Sequence, residues 1–140
     1  MADSFCYDPL QTDAQAHDMW VVPSPGHVVV AVEDRRVLGT SNMYPNRPGP
    51  GSHIASGNFM VASEARGQGV GQALGEYLLN WASTCGFAGV QCNAVAASNT
   101  PAVRTYERLG FTVIGTVPGA FRHPTLGPVG LHVMYHDLGA

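Results

Sequence analysis

The sequence predicts a single α/β domain, in which helices cover a central sheet, and three stretches of its 140 residues carry that prediction. Residues 27–33 are a β-branched run that ends in a charged turn, as in the first strand of a hairpin. Residues 69–85 place apolar side chains every three or four positions, which is the spacing of one buried helix face. Residues 87–95 are mostly apolar and suit a buried parallel strand.

The first half of the chain is predicted to form a short helix and then antiparallel strands. Ala16 and Trp20 would share one face of that helix. Prolines and glycines interrupt the strands once, between residues 45 and 51, where we expect a loop. The predicted elements are a helix over 14–20, a hairpin with strands over 27–33 and 37–44, and a strand over 53–62.

The helix over residues 69–85 is predicted to have one buried stripe and one polar side. The stripe comprises Val70, Leu74, Tyr77, Leu78 and Trp81. The side chains expected to face away from it are Gln72, Glu76 and Asn80. Gly86 is a typical helix terminator, so we expect the helix to end there.

The last third of the chain is predicted to form a second helix and a closing strand pair. Thr100 would cap the helix, Pro101 would take its first position, and Gly110 would end it. Its inner face would carry Ala102, Tyr106 and Leu109. Antiparallel strands over 111–117 and 129–138 would follow, on either side of a loop rich in proline and glycine at 118–128.

Composition excludes several classes of protein. Ten carboxylates oppose seven arginines, and a net charge of −3 argues against a nucleic-acid partner. The chain is 45% hydrophobic and 12% charged, as in a compact globule. It contains no run of about 18 apolar residues, so we expect no membrane partner.

The N-terminal residues and the cysteines predict a cytoplasmic protein. The first eighteen residues contain aspartates and no arginine or lysine, which is unlike a secretory signal. Cys6, Cys85 and Cys92 are odd in number and form no C-x-x-C pair. Reduced thiols are therefore expected rather than a disulfide framework.

A phosphate-binding loop is predicted where a strand meets the main helix. Gly67, Gly69 and Gly71 lack side chains, so the backbone can approach a ligand closely. Unpaired amides at the helix start and the positive end of the helix dipole favour an anion. A dinucleotide-binding G-x-G-x-x-G would need glycine where the chain has Gln72 or Leu74. A P-loop would need a lysine, and the chain has none.

The pattern Arg66-x-x-Gly69-x-Gly71 resembles the pyrophosphate loop Q/R-x-x-G-x-G/A of the GNAT superfamily of acyl-CoA N-acyltransferases. A later segment, Asn99-x-x-Ala102-x-x-x-Tyr106-x-x-x-Gly110-Phe111, is similar to the second coenzyme-binding segment of that superfamily. The two motifs stand in the expected order and distance, and the resemblance covers roughly residues 28–138. Taken alone, the loop could also be a turn that only joins a strand to a helix.

The resemblance implies a single domain over residues 1–140 with a mixed, mostly antiparallel sheet, splayed at its centre by the coenzyme and covered by helices on both faces. The N-terminus would be shortened, because relatives begin with a strand that is either missing here or reduced to residues 4–7. The resemblance also implies acetyl-CoA as co-substrate. The residues expected to bind it are Met60, Val61, Arg66, Gly67, Gln68, Gly69, Val70, Gly71, Gln72, Asn99 and Tyr106.

Tyr106 is the expected catalytic residue. The resemblance implies that its hydroxyl lies beside the coenzyme sulfur and protonates the departing thiolate. The alternative, from the residues alone, is a core tyrosine whose hydroxyl bonds to the backbone.

Asn93 is expected to bind the acceptor, because it ends a buried strand at the edge where ligands of α/β sheets bind. The other residues assigned to the acceptor are Tyr44, His53 and Ser56, which lie in or near segments that border the acceptor site in the family. The spacing of Asn93 and Asn99 also resembles fungal N-acetyltransferases that act on small cyclic amino acids.

No residue is an obvious general base. Many GNAT proteins use a glutamate on the strand before the loop, and residues 53–63 contain none. His53 and His123 are the candidate substitutes because imidazole titrates near neutrality, although each could be a plain surface histidine. His132 and His136 are four residues apart in a predicted strand, where that separation spans ~13 Å, so no metal site is expected.

These observations predict an N-acetyltransferase that moves an acetyl group directly from acetyl-CoA to the amine of a small molecule, such as a small amino acid or an analogue. No cysteine or serine has a partner placed to activate it, so no covalent enzyme intermediate is expected. The alternative is a non-catalytic acyl-CoA-binding or sensing domain, favoured by the short N-terminus and the missing glutamate. A homodimer is a further expectation.

Overall fold

The computed structural model describes residue 10 and residues 12–139. Its helices are α1 (Asp13–Trp20), α2 (Val70–Thr84) and α3 (Thr100–Arg108). Its strands are β1 (His27–Glu33), β2 (Arg36–Pro45), β3 (Ile54–Val61), β4 (Gly89–Ala96), β5 (Thr112–His123) and β6 (Gly127–Asp137). The strand remnant predicted at residues 4–7 lies outside the described residues. Within them, no helix has both the length and the apolar character that a membrane crossing requires.

The six described strands form one sheet in the order β1-β2-β3-β4-β6-β5. Neighbouring strands are antiparallel except for β3 and β4, which run parallel. The predicted mixed, mostly antiparallel sheet is therefore confirmed. The single parallel pair lies at the centre of the sheet, where the chain crosses from β3 to β4 through α2.

Helices lie on both faces of the sheet, as expected. Consecutive residues of β2 point to opposite faces. A side chain added at Gly39 would meet Leu74 of α2 at 3.0 Å. The next residue, Thr40, accepts a hydrogen bond from the indole nitrogen of Trp20 in α1, at 3.1 Å. Helix α2 thus covers one face and α1 contacts the other.

The main core lies between the sheet and the helices α2 and α3. Its fully buried side chains are Met43, Ala55, Leu78, Ala82, Val90 and Met134. Gly75 allows α3 to approach α2 closely, because Leu109 fills the space that a side chain at position 75 would need. The position of α3, and of the Tyr106 that it carries, therefore depends on a glycine in α2.

The buried stripe of α2 differs from the prediction at Tyr77. This residue is 45% exposed and stacks on His27, with ring centroids 6.0 Å apart. Leu74 and Leu78 set the centre of the stripe, and Tyr77 is rotated about 100° away from Leu78 towards β1. Gln72, expected to face away, is half-buried instead.

The predicted cap of α3 is wrong by one residue. Asn99 is the N-cap, and its side-chain oxygen accepts a hydrogen bond from the amide of Ala102 at 3.4 Å. Thr100 is therefore the first helical residue and Pro101 the second. Both asparagine and threonine are good N-caps, so residue type alone did not separate them.

The predicted loop over 118–128 is also wrong. β5 and β6 continue through most of it, and only residues 124–126 join them. Pro118 and Gly119 are accommodated because β5 is an edge strand whose pairing with β6 is irregular between Val117 and Phe121. An edge strand tolerates a proline that would break a central one.

Candidate active site

The turn from β3 into α2 has the backbone expected of an anion site. Gly67 and Gly69 have φ of 78° and 81°, which glycine adopts without strain. Gly69 directly precedes α2, and no side chain caps the helix. The amides of Val70, Gly71 and Gln72 therefore have no intrahelical acceptor and lie at the positive end of the helix dipole.

The same turn has space for a pyrophosphate group. A Cβ atom at Gly67 or Gly69 would meet no atom within 4 Å, and the first turn of α2 carries no acidic residue. The side-chain oxygen of Gln72 is buried without a hydrogen-bond partner in the described chain. A buried amide oxygen calls for a donor, which a bound ligand can supply. These residues, together with the exposed Arg66, fit the acyl-CoA assigned from the sequence.

A gap opens between the two parallel strands beside this turn. β3 and β4 pair only at their starts, Ile54 with Gly89 and Ala55 with Val90. β4 then carries a bulge between Cys92 and Val95, and a bulge bends its strand away. The splay expected from the resemblance is therefore present. We call this gap the cleft.

The cleft exposes a backbone edge of β3. From residue 57 to residue 61, β3 pairs with β2 on one side and with no described strand on the other. Met60 and Val61, predicted to bind the coenzyme, lie on this edge, and the 3-10 helix Ser63–Ala65 separates them from the glycine turn. An extended ligand with amide groups can pair with such an edge as an added strand would.

Tyr106 lies at the wall of the cleft formed by α3. It is 7% exposed, and its ring packs between Phe59 and Phe111 at centroid distances of 5.0 and 5.2 Å. Phe59 belongs to the part of β3 that does not pair with β4, so the ring of Tyr106 lies next to the cleft. Its hydroxyl interacts with the thiol of Cys92.

Cys92 is buried under the cleft, and its surroundings favour the neutral thiol. Burial raises the pKa of its thiol to about 12, although the hydrogen bond with Tyr106 acts in the opposite direction. Its sulfur lies 3.8 Å from the carbonyl oxygen of Gly57. Because a thiolate is needed for attack, the raised pKa argues against Cys92 as an acyl carrier.

The turn between β4 and α3 borders the cleft on the β4 side, at the same end as the glycine turn, because β3 and β4 run parallel. Asn99 is half-buried, and its side-chain oxygen is used as the helix cap, which leaves its NH₂ group for a ligand. The hydroxyl of Ser98 is buried without a partner in the described residues. Ser98 was not predicted from the sequence. The feature that could have identified it is its position next to Asn99, which was predicted to bind the coenzyme.

The prediction that Asn93 ends its strand is wrong, because β4 continues to Ala96 and Asn93 lies exposed in its bulge. Its Nδ2 donates to Oδ1 of Asn46 at 2.7 Å, and its Oδ1 accepts from Nε2 of Gln91 at 2.9 Å. Neither of these partners was identified from the sequence. The sequence feature that could have identified Asn46 is its position two residues after Tyr44, near the end of a predicted strand, where both side chains would lie on the same face.

Tyr44 and Ser56 face each other in the register of β2 and β3, and Ser56 is buried. The hydroxyl of Tyr44 accepts a hydrogen bond from Nδ2 of Asn58 at 3.3 Å. Asn58 in turn bonds to the buried Asn42. The structure therefore places Tyr44 and Ser56 side by side and adds two asparagines that sequence reasoning did not identify.

The histidines considered as bases are not brought to the cleft. His53 is exposed and precedes β3 at the end where β3 and β4 still pair. His123 lies at the β5–β6 turn, where its Nδ1 accepts from the amides of Thr125 and Leu126. His132 bonds to Thr116 at 2.7 Å. No group of metal-binding residues occurs in the described chain.

A splayed sheet and an anion-binding turn at the start of the central helix define the class of acyl-CoA-dependent N-acetyltransferases. The chain belongs to the acetyltransferase (GNAT) family, whose model matches residues 2–111.

Solved structures and curated proteins agree with this assignment. A GCN5-related N-acetyltransferase from Kribbella flavida is 54% identical, with a TM-score of 0.94 over 98% of this chain and 83% of that one. A phosphinothricin acetyltransferase from Sinorhizobium meliloti, solved in complex with acetyl-CoA, shares the fold at 22% identity and a TM-score of 0.72, over 80% of this chain and 60% of that one. The N-acetyltransferase aca1 of Schizosaccharomyces pombe is 35% identical over 101 residues, which are 71% of this chain and 48% of that protein. The chain therefore spans about half the length of that curated relative.

Proposed function

We propose that this chain transfers an acetyl group directly from acetyl-CoA to the amine of a small molecule, such as a small amino acid or an analogue. One observation carries the proposal: the edge of β3 that faces the cleft leads, through the short 3-10 helix Ser63–Ala65 and the glycine turn, to the uncapped start of α2. Together they offer an anion site at one end and a row of backbone groups at the other. This is the shape that a pyrophosphate with an extended amide arm requires.

Each part of the cleft has a role in this reaction. Acetyl-CoA supplies the acetyl thioester. The amides from Arg66 to Gln72 bind its pyrophosphate, with the helix dipole in support. Amides on the free edge of β3 donate to the thioester oxygen as negative charge develops there. Tyr106 gives a proton to the departing sulfur.

The acceptor would bind on the sheet face opposite α2, near Tyr44, Ser56 and Asn93. None of these side chains is a histidine or a carboxylate, the usual general bases. The amine would therefore enter as its free base or lose its proton to water. Location in the cytoplasm, the homodimer and the single domain over the whole chain stay predictions from the sequence.

Thiol release from acetyl-CoA, measured across a panel of small amines, tests the proposal. At least one amine should accelerate release well above the rate with acetyl-CoA alone. Binding of acetyl-CoA, measured by calorimetry, is followed in parallel. Binding without release for every amine would instead support the acyl-CoA-binding or sensing domain.

A further inference from the structure

The side-chain amide of Asn42 has a single possible orientation, because two of its partners are backbone groups. Its Nδ2 lies 3.1 Å from the carbonyl oxygen of Trp20, which can only accept a hydrogen bond. Its Oδ1 lies 3.1 Å from the backbone nitrogen of Asn58, which can only donate. Asn42 is 2% exposed, so water does not compete for these bonds. Its donor and acceptor ends are therefore fixed by the fold.

The orientation of Asn42 fixes that of Asn58. Nδ2 of Asn58 lies 3.2 Å from Oδ1 of Asn42 and 3.3 Å from the hydroxyl of Tyr44. Because Oδ1 of Asn42 only accepts, the NH₂ group of Asn58 must face it. Its two hydrogens are then used by Asn42 and Tyr44. Oδ1 of Asn58 has no donor among the residues that the structure describes.

The orientation of Asn58 in turn fixes whether the Tyr44 hydroxyl donates or accepts in the hydrogen bond between them. The hydroxyl oxygen of Tyr44 accepts from Asn58, so its own proton remains available for another acceptor. Tyr44 and Asn58 lie on the sheet face opposite α2, because their neighbours Met43 and Gly57 face that helix. Asn58 also lies in the part of β3 that borders the cleft. The face beside the cleft thus offers one oriented donor and one oriented acceptor.

We propose that Tyr44 and Asn58 determine which amines the protein acetylates. They select amines whose nitrogen lies close to a carbonyl or carboxylate oxygen, as in an α-amino acid or its amide. This inference rests on the proposed function. Oδ1 of Asn58 accepts from the amine N–H, and the Tyr44 hydroxyl donates to the oxygen. Asn42 does not contact the amine substrate. It is a positioning residue, because its hydrogen bond fixes which end of the Asn58 amide faces Tyr44 and so leaves the Tyr44 proton available.

The spacing of the pair explains why the two ligand atoms must be close. The Tyr44 oxygen is 3.3 Å from Nδ2 of Asn58, and the two ends of an amide group are about 2.3 Å apart by covalent geometry. The donor and the acceptor are therefore within about 6 Å of each other. A nitrogen and an oxygen on adjacent carbons can reach both, whereas a simple amine can use only one.

The test compares acetylation of L-alanine amide with that of isopropylamine, which has the same carbon skeleton without the oxygen. Thiol release is measured at equal concentrations of free amine. The wild-type kcat/KM should favour alanine amide. Tyr44→Phe should reduce that preference about 2- to 10-fold, the effect of one neutral hydrogen bond, and should act mainly through KM. Asn58→Ala should reduce it by a similar factor.

Asn42→Ala separates positioning from general damage. It should reduce the preference for alanine amide, because Asn58 is then free to turn, whereas a loss of folded protein would lower both rates equally. Tyr77→Phe and Asn80→Ala are matched controls, since both residues are exposed on α2, and both should keep the wild-type preference. Thermal unfolding of each variant is recorded. Tyr44→Phe keeps the aromatic ring and remains decisive if the asparagine variants do not fold.

Three results would overturn the inference and leave the proposed function intact. They are equal use of both amines, an unchanged preference in Tyr44→Phe, and thiol release with other amines but not with alanine amide. If acetyl-CoA binds and no amine releases thiol, the proposed function itself fails, and this inference fails with it.

Discussion

Asn93 of β4 donates a hydrogen bond to Asn46 at 2.7 Å, although 47 positions of sequence separate the two residues. Asn46 follows β2, and Asn93 lies in the bulge where β4 leaves β3. Gln91 holds the other end of the Asn93 amide at 2.9 Å. Asn93 is therefore oriented from both sides, and one hydrogen of its NH₂ group remains for a ligand.

Asn93→Ala should weaken use of the acceptor more than binding of the coenzyme. We expect the KM of the acceptor to rise, or kcat to fall, about 2- to 10-fold, because one neutral hydrogen bond is lost. The dissociation constant of acetyl-CoA, measured by calorimetry, should stay within about twofold of wild type. Asn80→Ala on the exposed side of α2 is the control. The reverse pattern would assign Asn93 to the coenzyme.

Gly69→Asp should abolish binding of acetyl-CoA. The substitution adds bulk and negative charge at the helix start, and we expect affinity to fall at least about 100-fold, or about 2.7 kcal/mol. Gly86→Asp is the matched control, because Gly86 has a φ of 84°, has open space around it and lies at the other end of α2. Both variants carry the same kind of backbone strain. Equal affinity in the two folded variants would refute the assignment of the loop.

The parts of the site that could be predicted are those set by local sequence. Gly67 and Gly69 were identified because they lack side chains in a glycine-rich stretch between a predicted strand and a predicted helix, and the structure shows the left-handed backbone at both. The start of α2 followed from its apolar spacing. These features depend on neighbours within a few residues, so a single sequence contains them.

The asparagine contacts could not be predicted, because they depend on which strands are neighbours and in which register. Asn42 and Asn58 are opposite each other only in the register of β2 and β3. A shift of one residue would place Asn58 on the other face of the sheet. The loop wrongly predicted around Pro118 has a related cause, since only the sheet order shows that β5 is an edge strand.

Cys92 should make the protein less stable at high pH. Burial raises the pKa of this thiol from 9.0 to about 12, so between these values the unfolded chain loses a proton that the folded chain keeps. The free energy of unfolding should therefore fall as pH rises, by about 1.4 kcal/mol between pH 8 and pH 10 from this group.

Urea unfolding at both pH values measures this effect as a difference between variants. Cys92→Ala should lose less stability over the interval than wild type, by about 1.4 kcal/mol. Cys85→Ala is the control for replacing a thiol as such, because Cys85 is exposed. Identical pH dependence in wild type and Cys92→Ala would show that the thiol titrates normally.

Tyr106→Phe should slow the reaction without weakening coenzyme binding. A free thiol has a pKa of about 8.5 and a tyrosine about 10, so the thiolate can leave unaided and a general acid accelerates the step without being essential. We expect kcat to fall roughly 10- to 10⁴-fold. The ring contacts with Phe59 and Phe111 remain in the variant, so the loss of stability should be limited to the hydrogen bond with Cys92, about 1 kcal/mol.

Tyr77→Phe is the matched control for this change, since its hydroxyl lies on the exposed part of α2, 3.2 Å from His27. It should keep the wild-type kcat. The measurement is thiol release under conditions where single-turnover kinetics show that chemistry limits the rate. Because the Tyr106 hydroxyl also bonds to the Cys92 thiol, the variant loses that hydrogen bond whichever role the hydroxyl has, so stability does not separate the two roles. The value of kcat does: a packing role predicts an unchanged kcat, and a general acid predicts a lower one.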